Sequence, residues 1–160
     1  MNKSQYCFQS KIGPLFLVAS VEGLEGVYWD EQLIPMISTL EALDTETQIL
    51  KQAASQLAEY LDGKRKEFDL PLAAFGTEFQ HLVWNELKKI PYGKTFSYSE
   101  IAQRLKNEKA VRAVGTANGK NPLCIIVPCH RVISADGSLG GYSGGLQIKS
   151  QLLEIESRHH

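Results

Sequence analysis

Apolar and polar positions change their rhythm along this chain, and the change separates two halves. Near the N-terminus, short apolar-rich runs at 5–10, 14–20 and 24–30 predict strands, punctuated by Gly13-Pro14 and Glu22-Gly23. Residues 45–62 predict a helix, with Ile49, Ala53, Leu57 and Tyr60 as its apolar stripe and Gly63 as its stop. Glu67 to Leu70 reads as one more strand, broken by Pro71, and 71–76 reads as a linker. The second half turns to helical spacing. Thr77 and Gln80 stand at capping-box distance, and Phe79, Leu82, Val83, Leu87 and Ile90 follow as a core face ended by Pro91-Tyr92-Gly93. Ser97 and Glu100 make a second capping box, opening a helix from Tyr98 that buries Ile101, Ala102 and Leu105. After a turn at Asn107-Glu108, a third helix runs from Lys109 to Asn118 and closes at Gly119. That spacing is a helix-turn-helix, although helix pairs also build ordinary cores. Ile125, Ile126 and Val127 predict a short buried strand stopped by Pro128. A last helix, 146–156, is expected to bury Leu146, Ile148, Leu152, Leu153 and Ile155, with Lys149 near the same sector although its long stem can snorkel out. The expected fold is α/β: a small α/β lobe over residues 1–75 and a mainly helical lobe over 76–160.

Charge sharpens this division. The net charge of −1 conceals six Lys/Arg against eleven Asp/Glu in residues 1–75, and eleven against seven in residues 76–160. An anionic partner therefore belongs with the second half. No run reaches transmembrane length and the N-terminus has no apolar signal core, so a soluble, cytoplasmic protein is expected. Three cysteines at irregular spacing do not make a disulfide framework, and the absence of Cys-x-x-Cys and His-Glu-x-x-His spacings argues against a metal site.

Candidate chemistry gathers in the second half. Cys129, His130 and Arg131 follow Pro128, and a thiol among basic groups is the setting of a reactive thiolate. Adjacency alone is equally compatible with a buried structural cysteine, because neighbouring side chains can point apart. On the last helix, Glu156 falls within the apolar sector and needs a partner. Pairing with His130 would orient the imidazole toward serving the thiol; a frayed helix end with Glu156 in water is the other reading. On the third helix the apolar centre is Ala110, Val111, Val114 and Ala117, and Arg112 lies about 180° away by the helical period. Its neighbours Ala113, Gly115 and Thr116 are small, so a flat surface can approach with one cation projecting. The run Leu139 to Leu146 carries four glycines and a tyrosine, which suggests a shaped loop close to a ligand.

With these residues in view, the chain resembles the O6-alkylguanine-DNA alkyltransferases. The resemblance runs from about Phe79 to Glu156. It rests on Pro-Cys-His-Arg-Val at 128–132, Ile-Pro-Tyr-Gly-Lys-Thr-Phe-Ser-Tyr at 90–98, Arg-Ala-Val-Gly-Thr-Ala at 112–117, Asn121-Pro122, and Gly-Gly-Tyr-Ser-Gly-Gly-Leu at 140–146. It implies a ribonuclease H-like first lobe and a winged-helix-like second lobe. It implies that Cys129 accepts the alkyl group, that His130 acts through a water as its base, and that Glu156 orients His130. Asn121 would brace the neighbouring turn. Tyr98 would donate its hydroxyl to N3 of the guanine, and Arg112 would fill the gap left by the flipped nucleotide. Lys109, Ala113, Gly115 and Thr116 would share the minor-groove face with Arg112 and Tyr98. Val132, Tyr142 and Ser143 would line the guanine pocket. The implied partner is duplex DNA carrying O6-alkylguanine, and by extension O4-alkylthymine. The implied protein is a monomer acting once, without cofactor. Some relatives bind zinc in the first lobe, but Cys7 stands alone there and no histidine precedes His81, so no zinc is expected. Two other classes stay open: a helix-turn-helix regulator without catalysis, and a Cys-His hydrolase.

Overall fold

The N-terminal apolar runs fold as a meander, β1 (Ser4–Ser10), β2 (Gly13–Ser20) and β3 (Gly23–Tyr28), each antiparallel to the next. The computed structural model describes residues 2–159, and the chain divides between Phe75 and Gly76 into two units. In the first, α1 (Thr45–Leu61) is capped by Asp44, whose carboxylate accepts from the Thr47 amide at 3.1 Å. Its inner face, including Ile49, Leu50, Ala53, Leu57 and Tyr60, is buried with Leu15, Leu17, Val18 and Val27 of the sheet. The strand expected at Glu67–Leu70 does not form. The Gln56 side chain of α1 occupies both backbone groups of Asp69, at 2.9 and 3.0 Å, so they have no ladder to join. The chain meets the sheet later, through a single parallel bridge between Leu24 and Leu72.

In the second unit, the Thr77–Gln80 capping box opens α2 (Glu78–Leu87). Its inner face is Val83, Trp84 and Leu87, while Leu82, expected inside, is half exposed at 51%. Trp84 turns the helix: its ring is buried and its indole N–H donates to the Ala117 carbonyl at 2.9 Å. Ser97 caps α3 (Tyr98–Arg104), which ends before Leu105. The expected third helix begins as a 3-10 turn, Glu108–Ala110, and continues as α4 (Val111–Gly119) with Val114, Ala117 and Asn118 inside. Two-residue strands β4 (Phe96–Ser97) and β5 (Val132–Ile133) pair in parallel and tie the start of α3 to the segment after Cys129. In α5 (Leu146–His159) the buried residues are Lys149, Leu152 and Glu156. Leu146, expected in the core, is half exposed, and Ile148, Leu153 and Ile155 are only partly covered. The helix turns two charged residues inward because each finds partners there.

Candidate active site

Residues 123–128 are not the strand that their β-branching predicts. Asn121 prevents it. Its side-chain amide donates to the Val127 carbonyl at 2.9 Å, and its side-chain oxygen accepts from the Leu123 amide at 3.0 Å. The chain between is folded back on itself. The Ile126 amide reaches the Cys124 carbonyl at 2.9 Å around Ile125, which sits at φ 74°. A γ-turn centred on a β-branched residue in that region is strained by on the order of 1–3 kcal/mol. A second tight turn follows at Pro128 (φ −79°, ψ 64°), closed by the Cys129 amide on the Val127 carbonyl at 2.7 Å. Cys129 thereby starts a one-turn 3-10 helix, Cys129–Arg131, and the Asn118 amide of α4 reaches its carbonyl at 3.4 Å.

That turn aims His130 and Arg131 at α5. His130 Nε2 lies 2.7 Å from Glu156 Oε2, with both side chains buried. Arg131 forks onto the same carboxylate through Nε at 2.8 Å and Nη2 at 2.9 Å, and its Nη1 donates to the Ile90 carbonyl at 2.7 Å. The Gly93 amide adds a fourth bond to Glu156 at 3.1 Å. Burial alone would raise the Glu156 carboxyl, but the hydrogen bonds and charges of His130 and Arg131 outweigh it and hold it at about 2. An ionised carboxylate can only accept, so His130 Nε2 carries the hydrogen and Nδ1 keeps its lone pair. Burial also lowers the basicity of His130, against the pull of Glu156.

Cys129 opens on a cavity of about 450 Å³. Tyr98, Gly115, Asn118, Ser134, Gly140, Gly141, Tyr142 and Ser143 are among its walls. Val132 is not; it is fully buried, and its carbonyl is taken by Lys149. The neighbouring Cys124 and burial push the Cys129 thiol well above its ordinary range, while Asn121 and Lys149 pull the other way. Tyr98 is half-buried, and that burial raises the pKa of its hydroxyl. Gly140, at φ 72°, is required here: a Cβ would stand 2.8 Å from the Tyr98 hydroxyl and 3.0 Å from its ring. On the outer face of α4, Lys109, Arg112, Ala113 and Thr116 line a separate open groove of about 590 Å³ with Thr77, Phe79 and Gln80. Arg112 is exposed, as are Lys109, Ala113 and Thr116.

Of the residues singled out by sequence, Cys129, Tyr98, Tyr142 and Ser143 meet at the cavity, and His130 and Glu156 pair with each other in the buried interior. Four contributors were not foreseen: the Arg131 fork, Asn118, Cys124 and the buried Lys149. Arg131 and Lys149 carried a legible hint, since each stands beside or among positions with an apolar period. Cys124 and Asn118 carried none. Among the described residues, no three His, Cys, Asp or Glu side chains cluster as metal ligands, and no helix is long and apolar enough to cross a membrane.

A buried cysteine lining a cavity, followed in the same turn by a histidine paired with a buried glutamate, in a unit whose α4 exposes an arginine, makes a candidate nucleophilic-cysteine site on a helix-turn-helix. Comparison with known proteins agrees. Residues 78–158 match the family model for the 6-O-methylguanine DNA methyltransferase DNA-binding domain, and residues 5–74 match that family's ribonuclease-like domain. The chain is 48% identical over 149 residues to a methylated-DNA–protein-cysteine methyltransferase of Methanosarcina acetivorans, covering 93% of this chain and 95% of that one. It is 46% identical over 147 residues to that of Mycobacterium tuberculosis, covering 92% and 88%. The crystal structure of the Mycobacterium tuberculosis OGT in complex with DNA superposes with a TM-score of 0.87 at 40% identity, covering 98% of this chain and 94% of that one. The chain belongs to the 6-O-methylguanine DNA methyltransferase family.

Proposed function

We propose that this protein repairs DNA by direct reversal, moving an alkyl group from O6 of guanine, and from O4 of thymine, onto Cys129. The observation that carries this reading is that Cys129 lines a cavity while the next residue of its turn, His130, is paired with the buried Glu156. Nδ1 of neutral His130 takes the thiol proton through a water, and Glu156 steadies the imidazolium that results. The thiolate attacks the alkyl carbon in line. The S–C bond forms as the C–O6 bond breaks, and the electron pair goes to the base. Tyr98 eases its departure by donating at N3, so the base leaves as guanine. Nothing in this balance consumes a cofactor. The nucleotide must leave the duplex stack to reach a buried thiol. Arg112 then fills the gap while Lys109, Ala113, Gly115 and Thr116 lie against the minor groove. The lesion-bearing duplex is the partner of the helical unit, and the protein acts as a monomer in the cytoplasm.

The product is a thioether, which water does not cleave, so each molecule acts once. Incubation with a duplex oligonucleotide carrying O6-methylguanine should add one methyl to the intact mass, located at Cys129, with one lesion repaired per protein. Several lesions repaired per molecule without a mass gain would indicate a hydrolase instead. Tight binding to one operator sequence with Cys129 unmodified would indicate a regulator.

The close approach at Gly140 yields a further expectation. Gly140→Ala must displace the Tyr98 hydroxyl or move the loop, and it places a Cβ at positive φ, a strain of about 1–2 kcal/mol. Stability should fall by that modest amount while transfer slows far more, on the order of 10²-fold for a misplaced donor. A single-turnover assay beside a urea melt separates the two effects.

A further inference from the structure

Lys149 enters none of those steps, yet it is fully buried. A lysine is found there only when its charge is answered. Three main-chain carbonyls answer it: Val132 at 2.6 Å, Gly141 at 3.1 Å, and Leu139. An ammonium has three donors and no acceptor, so this cage fits the protonated form alone. The carbonyls come from two separate stretches. Val132 opens β5, directly after the turn that holds Cys129; Leu139 and Gly141 belong to the Gly-rich wall of the cavity. The wall is held on one side by Lys149 at the Gly141 carbonyl, and on the other the neighbouring Gly140 packs closely against the Tyr98 hydroxyl and ring. Glycine gives that wall little stiffness of its own, so its shape must come from such anchors.

We propose that Lys149 is a positioning residue for the alkyl transfer: its buried ammonium pins the Gly-rich wall, including Gly140 where it packs against Tyr98, to the strand that follows Cys129, and its charge steadies the Cys129 thiolate. The proposal rests on the transfer reading above. Two independent features support it. The cage joins the segments on either side of the cavity, where a lysine kept only for packing would have no need of three acceptors. The charge of Lys149 also favours the Cys129 thiolate, and that thiolate favours the ammonium in return. The titratable groups that feel the Lys149 charge are Cys129 and His130 of the 3-10 turn, which Arg131 completes; Tyr98 packs on the same Gly-rich wall at Gly140, and Glu156 lies about two turns further along the Lys149 helix. Burial lowers the Lys149 ammonium to about 8, so the cage loosens within an accessible range.

The test compares the full chain with Lys149→Arg, Lys149→Gln and Lys149→Met. Iodoacetamide alkylation of Cys129 across pH needs no guanine; its midpoint should move upward in the Gln and Met variants and return most of the way in the Arg variant. Single-turnover transfer from O6-methylguanine duplex should lose maximal rate on the order of 10²-fold in the Met variant. Lys149→Arg should recover part of that loss. A lysine that only packs would lower stability and leave the iodoacetamide midpoint in place. Wild-type protein supplies an arm that needs no variant to fold: proteolysis of the 135–145 loop should rise from roughly pH 7 to pH 9 as the ammonium is lost. An unmoved midpoint in a folded Gln or Met variant, an Arg variant no better than Met, or loop cleavage indifferent to pH would each overturn the proposal. If wild type never accepts a methyl group from DNA while the iodoacetamide midpoints shift as expected, the assigned reaction is what fails, and the clamp stands.

Discussion

Glu156→Ala should cost the C-terminal unit roughly 3–5 kcal/mol, the penalty for stripping one partner from a buried ion pair. The carboxylate answers four donors at once: His130 at 2.7 Å, Arg131 at 2.8 and 2.9 Å, and the Gly93 amide at 3.1 Å. The His130 and Arg131 donors cannot turn to water when it is gone, because His130 is fully buried and Arg131 is 7% exposed. A domain of ordinary stability has only about 5–15 kcal/mol in total, so the variant should be near its unfolding limit. Transfer should slow as well, by roughly 10²–10⁴-fold, since a base without its orienting group no longer faces the thiol. Glu156→Gln keeps the shape and one acceptor but leaves the Arg131 charge uncompensated, so it should fall between wild type and alanine. The pH dependence follows in sign. The Glu156 carboxyl is held at about 2, below its ordinary 4.5. Its contribution is therefore complete above about 4.5 and is lost as pH falls toward 2. His130 works in the same direction, because burial lowers its basicity and the unfolded chain takes up a proton that the folded chain resists. Urea melts at several pH values should show wild type weakening across that acid range and the Gln variant starting lower but declining less. An alanine variant with a wild-type melt and wild-type transfer would remove Glu156 from the mechanism.

Arg112→Ala should strongly slow repair in duplex DNA, yet barely change reaction with free O6-alkylguanine base. Arg112 stands exposed on the outer face of α4 among Ala113 and Thr116, with Val114 buried on the opposite side. Nothing ties its side chain to the Cys129 cavity, whose walls do not include it. Its task in the proposed reaction is to hold the stack open. Unpairing and unstacking cost a few kcal/mol in a duplex and less in a mismatch or a single strand, so the defect should shrink in that order. A phosphate-binding arginine would behave otherwise: its loss would weaken binding to every sequence and lower the salt slope by about one counterion. Arg112→Lys should restore only part of the rate, because an ammonium lacks the planar fork. Equal losses on free base and on duplex would show that Arg112 serves the fold or the chemistry instead.

Local chemistry alone predicted much of this protein. The capping pairs Thr77–Gln80 and Ser97–Glu100 sit at a fixed spacing, so the starts of α2 and α3 could be read directly, as could the three N-terminal strands. The helical period placed Arg112 outward and Glu156 inward before any contact was known, because position on a helix depends only on residue number. The same local rules failed where a distant partner outbid them. Ile125, Ile126 and Val127 have the composition of a strand, but Asn121 closes that segment into turns and holds Ile125 at φ 74°. Glu67–Leu70 lost its strand to the side chain of Gln56. Leu82 gave its inward place to Trp84, which had an acceptor waiting at Ala117. The helical period puts Lys149 near the apolar sector but leaves open whether its stem snorkels out, since nothing nearby in sequence satisfies a buried ammonium. Its three carbonyls lie 8 to 17 residues away and come together only when the loop folds over β5. The sequence by itself determined which residues are candidates for the chemistry, and it placed Arg112 and Glu156 on the faces of their helices that they occupy. The tertiary structure decided which of them meet, because a buried charge goes where its counter-charges and carbonyls converge, and that convergence is a property of the closed chain.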